Sequence, residues 1–293
     1  MIDKFFILTL TLTFFLFNNS CDTNVDHDSN IEKELKSIIK DSISDIYDIE
    51  HNNIKYVDSI FLDNGIEIKW IENGVGQKLK YADCAMIDYK VLLEDNTIVD
   101  GNYLIKKRNV PFLLGFNMQT IGWEISLKQL KVGDSVEIFI PSKLARGEKG
   151  IENLIPPNSN NIIQMRVHEN RAPTREIDGN KIWVFEENNT NKLKFNFGYE
   201  IQFHCMVSTP SNPLYINTYR SNNPFSFNLN SKGVVPGLKK ALINSKKSDR
   251  MFVYIPHNQG YRDKGYQNLV KSNEDLFYNI MVMDVINTDS KKD

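Results

Sequence analysis

A chain of mixed strands and short helices, arranged as two successive domains, is the fold this sequence predicts. Three observations lead there. The chain has 293 residues, which corresponds to about two domains at the usual size of roughly 100–200 residues each. A hydrophobic fraction of 41% and an aromatic fraction of 11% are enough for two cores. Two stretches, residues 55–171 and 182–288, pass through the same order of landmarks. In each, a strand leads to an extended Pro-Phe segment, then a Gly-led helix, a strand ending in Ile-Pro, a loop and a last strand.

Ahead of these stretches lies an address segment. Lys4 is followed by an apolar run from Phe5 to Phe17. A bilayer-spanning helix needs about 20 residues, so this shorter run has signal-peptide length. Ser20 directly before Cys21 resembles a bacterial lipobox, which implies cleavage after residue 20 and lipidation of Cys21. Asn18 stands where such signals commonly carry Leu, a departure that lipoprotein signals of Bacteroidota tolerate. Residues 1–20 are therefore expected to be a lipoprotein signal and residues 21–54 a lipid-anchored tether with an amphipathic helix. Asp22 to Asn30 is polar and acidic. Ile31, Leu35, Ile38, Ile39, Ile43 and Ile46 recur at helical spacing. The helix is read first as a spacer, with packing and dimerisation as alternatives.

In the first repeat, Asp83–Leu93 reads as a strand, and Val110-Pro111-Phe112 as the extended segment. Ile121-Gly122-Trp123 opens a short helix. Val136, Ile138 and Ile140 alternate with polar residues, the period of a half-buried strand, and Pro141 ends it. Ile155-Pro156-Pro157 precedes a last strand over Ile162–Val167. The second repeat answers with Tyr199–Val207, Pro224-Phe225, Val234-Val235-Pro236-Gly237-Leu238, Arg250–Ile255 before Pro256, and Leu276–Val285. Residues 172–181, polar and holding Pro173, are expected to be a linker, and residues 289–293 a tail.

Composition excludes several functions. A net charge of −2 does not provide the basic footprint of a nucleic-acid binder. The three cysteines, at 21, 84 and 205, and the five histidines show no metal-ligand spacing. No metal or cofactor is expected. Gly74-Val75-Gly76 lacks the following helix that a phosphate loop requires and reads as a turn.

Taken in order, Asn64-Gly65-Ile66, Asp88-Tyr89, Ile121-Gly122-Trp123, Leu130-Lys131-Val132-Gly133-Asp134, Ile140-Pro141-Ser142, Ala145-Arg146-Gly147-Glu148 and Ile155-Pro156-Pro157-Asn158 resemble the FKBP family of peptidyl-prolyl isomerases. The first stretch resembles it throughout, the second in degenerate form. The resemblance implies an α+β fold in which a twisted antiparallel sheet, mostly five-stranded, wraps around one short helix in each domain. It extends to lipid-anchored, isomerase-like proteins linked to gliding motility in Bacteroidota. It also implies rotation about Xaa-Pro amides, a barrier of about 18–20 kcal/mol that needs neither nucleophile nor metal.

By that resemblance Trp123 is the pocket floor, Tyr89 its wall and Asp100 its acidic residue. Arg146 stands where the family has a carbonyl-binding Tyr. Substrate contacts are expected from Val99, Val110, Phe112, Gln119, Thr120, Ile155 and Ile163. Val99, Val110 and Ile163 occupy positions where the family carries Phe. The second domain keeps a remnant: Phe225, Val234, Val235, Leu238, Tyr261 and Tyr278. There Leu238 replaces the floor Trp, Cys205 replaces the wall Tyr, and Asn217 is aligned with Asp100. The expected function is isomerisation of proline-containing exported polypeptides by the first domain, at the cell envelope. The alternative is a non-catalytic peptide-binding module. The sequence leaves the oligomeric state open.

Overall fold

A computed structural model describes residues 54–288 apart from 188, 189 and 191. The expected signal segment, Cys21, the amphipathic helix and the tail lie outside the described residues. Two compact units are present, the main run of the second beginning at Arg171.

The first unit carries a seven-stranded antiparallel sheet. Its strands are β1 (Asp58–Phe61), β2 (Glu67–Glu72), β3 (Cys84–Leu92), β4 (Ile98–Gly101), β5 (Val110–Leu113), β6 (Ser135–Ile140) and β7 (Asn161–Asn170). Their order is β1-β2-β6-β7-β3-β4, with β5 also pairing β3. In β6, Val136, Ile138 and Ile140 are fully buried and their neighbours are not, because successive side chains alternate faces. Directly opposed residues build a row across the sheet: Asp100 faces Val91, Val91 faces Ile163, Ile163 faces Ile138, and Ile138 faces Ile68. Asp100 thus lies at the end of an apolar row.

Helix α1 (Ile121–Leu127) sits on this face. It can approach closely because its second residue is glycine: a Cβ on Gly122 would lie 2.4 Å from Ile140 Cγ2 and 2.9 Å from the Leu144 carbonyl oxygen. The helix is short, and Ser126 Oγ donates back to the Gly122 carbonyl at 2.7 Å.

The second unit repeats the plan. Its strands are β8 (Arg175–Ile177), β9 (Asn180–Glu186), β10 (Tyr199–Ser208), β11 (Ile216–Asn217), β12 (Phe225–Asn228), β13 (Arg250–Ile255) and β14 (Leu276–Asn287). The order β8-β9-β13-β14-β10-β11, with β12 also on β10, is the same topology as the first sheet. Two helices follow, α2 (Thr218–Ser221) and α3 (Pro236–Leu242). Pro236 occupies the first turn of α3, where its missing N–H costs nothing. Gly237 repeats the role of Gly122, its Cβ position lying 2.4 Å from Ile255 Cγ2.

Two expectations are corrected. Each sheet has seven strands rather than five, because an N-terminal hairpin strand and a short strand from the Pro-Phe segment join it. The stretch expected as a linker holds β8 and the start of β9. That hairpin turns on Asp178 and Gly179, both with positive φ, as Gly65 does between β1 and β2.

Candidate functional site

The site in the first unit grows from the face of β3 that α1 covers. Tyr89 and Val91, two residues apart, share that face. Trp123, one residue into the helix after Gly122, is only 4% exposed. Tyr89 meets its ring edge-on at 5.0 Å, and Phe112 lies nearly parallel to it at 5.9 Å. These are the offset and T-shaped arrangements that ring quadrupoles favour.

Asp100 is held from two sides. Its Oδ1 accepts the Gly101 N–H at 2.7 Å, and its Oδ2 accepts the Tyr89 hydroxyl at 3.3 Å. Burial raises its carboxyl above the ordinary range, against the lowering effect of these donors and of the Arg146 charge. Arg146 sits in the loop after β6. Its Nη2 donates to Gln119 Oε1 at 2.9 Å. Burial lowers the guanidinium's pKa, and Asp100 acts on it through space in the opposite direction.

A cavity of about 20 Å³ lies among these groups. In this conformation it has room for roughly one water. Val99, Asp100, Gln119, Thr120, Trp123, Arg146 and Ile155 line it, together with Val91, Ile151 and Asn161. Tyr89 and Phe112 pack against Trp123 and are not part of the lining. Val110 and Ile163 are buried, at 3% and 0% exposure, but are not part of the lining. Thr120, at the N-cap position of α1, makes no side-chain capping bond, and among the described residues its buried Oγ1 has no partner.

Sequence reasoning missed Asn102. It is fully buried. Its Oδ1 accepts the Tyr89 N–H at 2.8 Å, and its Nδ2 donates to Asp88 Oδ1 at 2.8 Å and the Ile87 carbonyl at 3.3 Å. Asn102 therefore ties the segment after Asp100 to β3 and sets where Asp100 stands. An Asn directly after the Asp100-Gly101 pair was the available signal.

In the second unit, Cys205, Val235, Leu238 and Tyr278 belong to one buried cluster, with Val234, Tyr215, Tyr261 and Leu269 packed against it. Phe225 does not join them. It is 39% exposed and meets Phe203 edge-on at 6.0 Å, while Phe227, two residues on, is the buried ring. The register also corrects the alignment of Asn217. Ile216 faces Val207 on β10, as Asp100 faces Val91 on β3, and Tyr278 faces Val207 as Ile163 faces Val91. Ile216 therefore takes the place of Asp100, and Tyr215 precedes it where Val99 precedes Asp100. Asn217 instead caps α2, its Oδ1 accepting the N–H groups of Tyr219 and Arg220. Thr218 does the work of Asn102: its Oγ1 accepts the Cys205 N–H at 2.8 Å.

Tyrosines crowd this second site. Tyr261 stacks on Tyr266 at 4.8 Å, and burial raises the pKa of both Tyr215 and Tyr278. The Tyr215 hydroxyl is buried and, although close enough to Tyr278 to influence its ionisation, has no partner in hydrogen-bonding geometry. The second site has neither an indole floor nor a carboxylate.

Comparison with known proteins agrees with this geometry. Residues 76–168 and 192–283, together more than half of the chain, match the FKBP-type peptidyl-prolyl cis-trans isomerase family. Over 106 residues the chain is 31% identical to the peptidyl-prolyl cis-trans isomerase Mip of Coxiella burnetii, covering 36% of this chain and 45% of that protein. Over 103 residues it is 30% identical to the FKBP-type isomerase FkpA of Escherichia coli, covering 35% of this chain and 37% of that one. Over 108 residues it is 27% identical to the outer membrane protein MIP of Legionella longbeachae, covering 37% and 45%. The chain thus spans less than half the length of each of these relatives.

Proposed function

We propose, from the premise that this chain belongs to the FKBP-type peptidyl-prolyl cis-trans isomerase family, that its first domain isomerises Xaa-Pro bonds and its second does not. The observation that carries the reading is the Trp123-floored cavity with Tyr89 and Asp100 locked beside it. A planar amide is more polar than the twisted transition state because resonance separates charge in it. A site that replaces water by apolar walls stabilises the twisted form relative to the planar one. Trp123, Val99 and Ile155 supply those walls. Gln119, Thr120 and Arg146 supply polar groups that orient the flanking peptide. No proton is transferred and no covalent intermediate forms.

The second domain is read as a non-catalytic peptide-binding or scaffold module, because Leu238 and Ile216 stand in place of Trp123 and Asp100. Clients are proline-containing exported polypeptides, and the chain is a lipoprotein of the Bacteroidota type held at the envelope through Cys21. The apolar run of residues 5–17 before Ser20 and Cys21 supports that placement. Among the described residues, no helix is long and apolar enough to cross a membrane.

The test is exchange NMR on short Xaa-Pro peptides with the full chain in detergent, beside Trp123→Leu and Leu238→Ala variants. The expected result is accelerated exchange by the wild type and by Leu238→Ala, and its loss in Trp123→Leu. Absence of acceleration at high protein concentration overturns the enzymatic reading in favour of a binding module.

A further inference from the structure

We infer that Arg146 makes the first-domain pocket selective for prolines that adjoin an acidic side chain. The inference rests on the pocket reading above and adds a substrate class to it. Three observations carry it. Arg146 lines the same small cavity as Trp123, so it faces the peptide that flanks a ring seated on the indole. Of the five guanidinium N–H donors, one is used among the described residues, by Gln119 Oε1. The nearby carboxylate does not satisfy the rest: Asp100 directs its oxygens to the Gly101 N–H and the Tyr89 hydroxyl, and its influence on Arg146 acts through space.

A partly buried cation with unused donors favours an incoming acceptor, and a carboxylate matches its planar fork with two parallel bonds. The single bond to the neutral Gln119 amide is exchanged for a bidentate pair with a charged acceptor, which is stronger. A phenol at this position would accept or donate one neutral hydrogen bond and show no charge preference. The guanidinium also disfavours a cation at the same place, since like charges in a low-dielectric site repel. The predicted order of substrates is therefore Glu-Pro above Gln-Pro and Leu-Pro, with Lys-Pro last. Buried Thr120 Oγ1, unpartnered on the same wall, offers a further donor to the same substrate.

The experiment compares Xaa-Pro peptides with Xaa as Glu, Gln, Leu or Lys, and a matched set with the residue after proline varied. Exchange NMR with the full chain gives kcat/KM for each. The expected Glu-to-Gln ratio is about tenfold, the equivalent of roughly 1.4 kcal/mol from a charge-assisted bond, in at least one of the two positions. In Arg146→Gln the ratio falls to about one, and in Arg146→Lys part of it returns. Because the readout is a ratio within one protein, a general loss of activity or stability in the variant does not mimic it. Acceleration of all peptides with a ratio near one overturns the selectivity while leaving the isomerase reading intact. Acceleration of none overturns the isomerase reading. The ratio of dissociation constants from chemical-shift titration then decides the selectivity, and equal constants or no binding overturn it.

Discussion

Substituting Gly122 by alanine tests how the helix is seated on the sheet, and with it the placement of Trp123. Alanine favours an exposed helix over glycine by about 1 kcal/mol, so propensity alone predicts stabilisation. The structure predicts the reverse. The new methyl would lie 2.4 Å from Ile140 Cγ2 and 2.9 Å from the Leu144 carbonyl oxygen, whereas carbon atoms rest at about 3.5–4.0 Å. Ile140 is fully buried. The Leu144 carbonyl is backbone and cannot rotate away as a side chain does. The helix must lift by about an ångström, and overpacking of this kind costs about 1–3 kcal/mol. Two contacts below 3.0 Å place this site at the upper end, so the net expectation is about 2 kcal/mol of destabilisation after the propensity gain. Gly237→Ala provides an internal replicate, its Cβ falling 2.4 Å from Ile255 Cγ2 and 2.5 Å from Asn180 Oδ1. Urea denaturation followed by far-UV circular dichroism measures both variants, and exchange NMR measures the activity that Gly122→Ala is expected to lower by moving the indole. If either variant is as stable as the wild type or more so, the close helix-to-sheet contact described here is wrong.

Arg175 donates to the carbonyls of Ala241 and Ile243 at 2.7 and 2.6 Å, closing the C-terminal end of α3. Arg175→Met is expected to destabilise the second domain by about 2–4 kcal/mol in urea melts, at about 1.5–3 kcal/mol per charge-assisted bond less the relief of a buried charge. His204 is 8% exposed, stacked on Tyr219 at 4.7 Å with Nδ1 3.1 Å from Thr218 Oγ1, and burial lowers its pKa below the ordinary 6.5. A lowered folded pKa means the unfolded chain binds the proton more readily. The stability His204 contributes is therefore complete above about pH 6.5 and lost as pH falls through the folded value. His204→Asn is expected to flatten that acid-side slope in urea melts at stepped pH. An unchanged slope would show that His204 does not titrate differently on folding.

The local grammar of the chain was legible in the sequence because it obeys short-range rules. The alternation of Val136, Ile138 and Ile140 follows from a two-residue period, and Pro141 and Pro256 end strands because they cannot donate to a ladder. Gly122 and Gly237 mark the helix starts because only glycine admits the sheet so closely. The ordering of these landmarks, repeated twice, carried the two-domain α+β fold, and the indole and its Tyr89 and Phe112 neighbours were nameable from the same landmarks.

What only the tertiary structure decided depends on register and on partners far apart in the chain. Ile216, not Asn217, takes the place of Asp100 because β11 pairs β10 one residue differently from the alignment by residue type. A shift of one residue turns every side chain to the other face. Phe225 and Phe227 have the same local pattern, and the core packing alone makes the second of them the buried ring. β8, three residues in a polar stretch, has no periodicity to read and is a strand because β9 lies beside it. The bond from Arg146 to Gln119 joins residues 27 apart, and no local rule brings a guanidinium to the same cavity as Trp123. Composition and periodicity determine which segments become strands and helices, whereas the charge and shape of the pocket arise where distant segments meet.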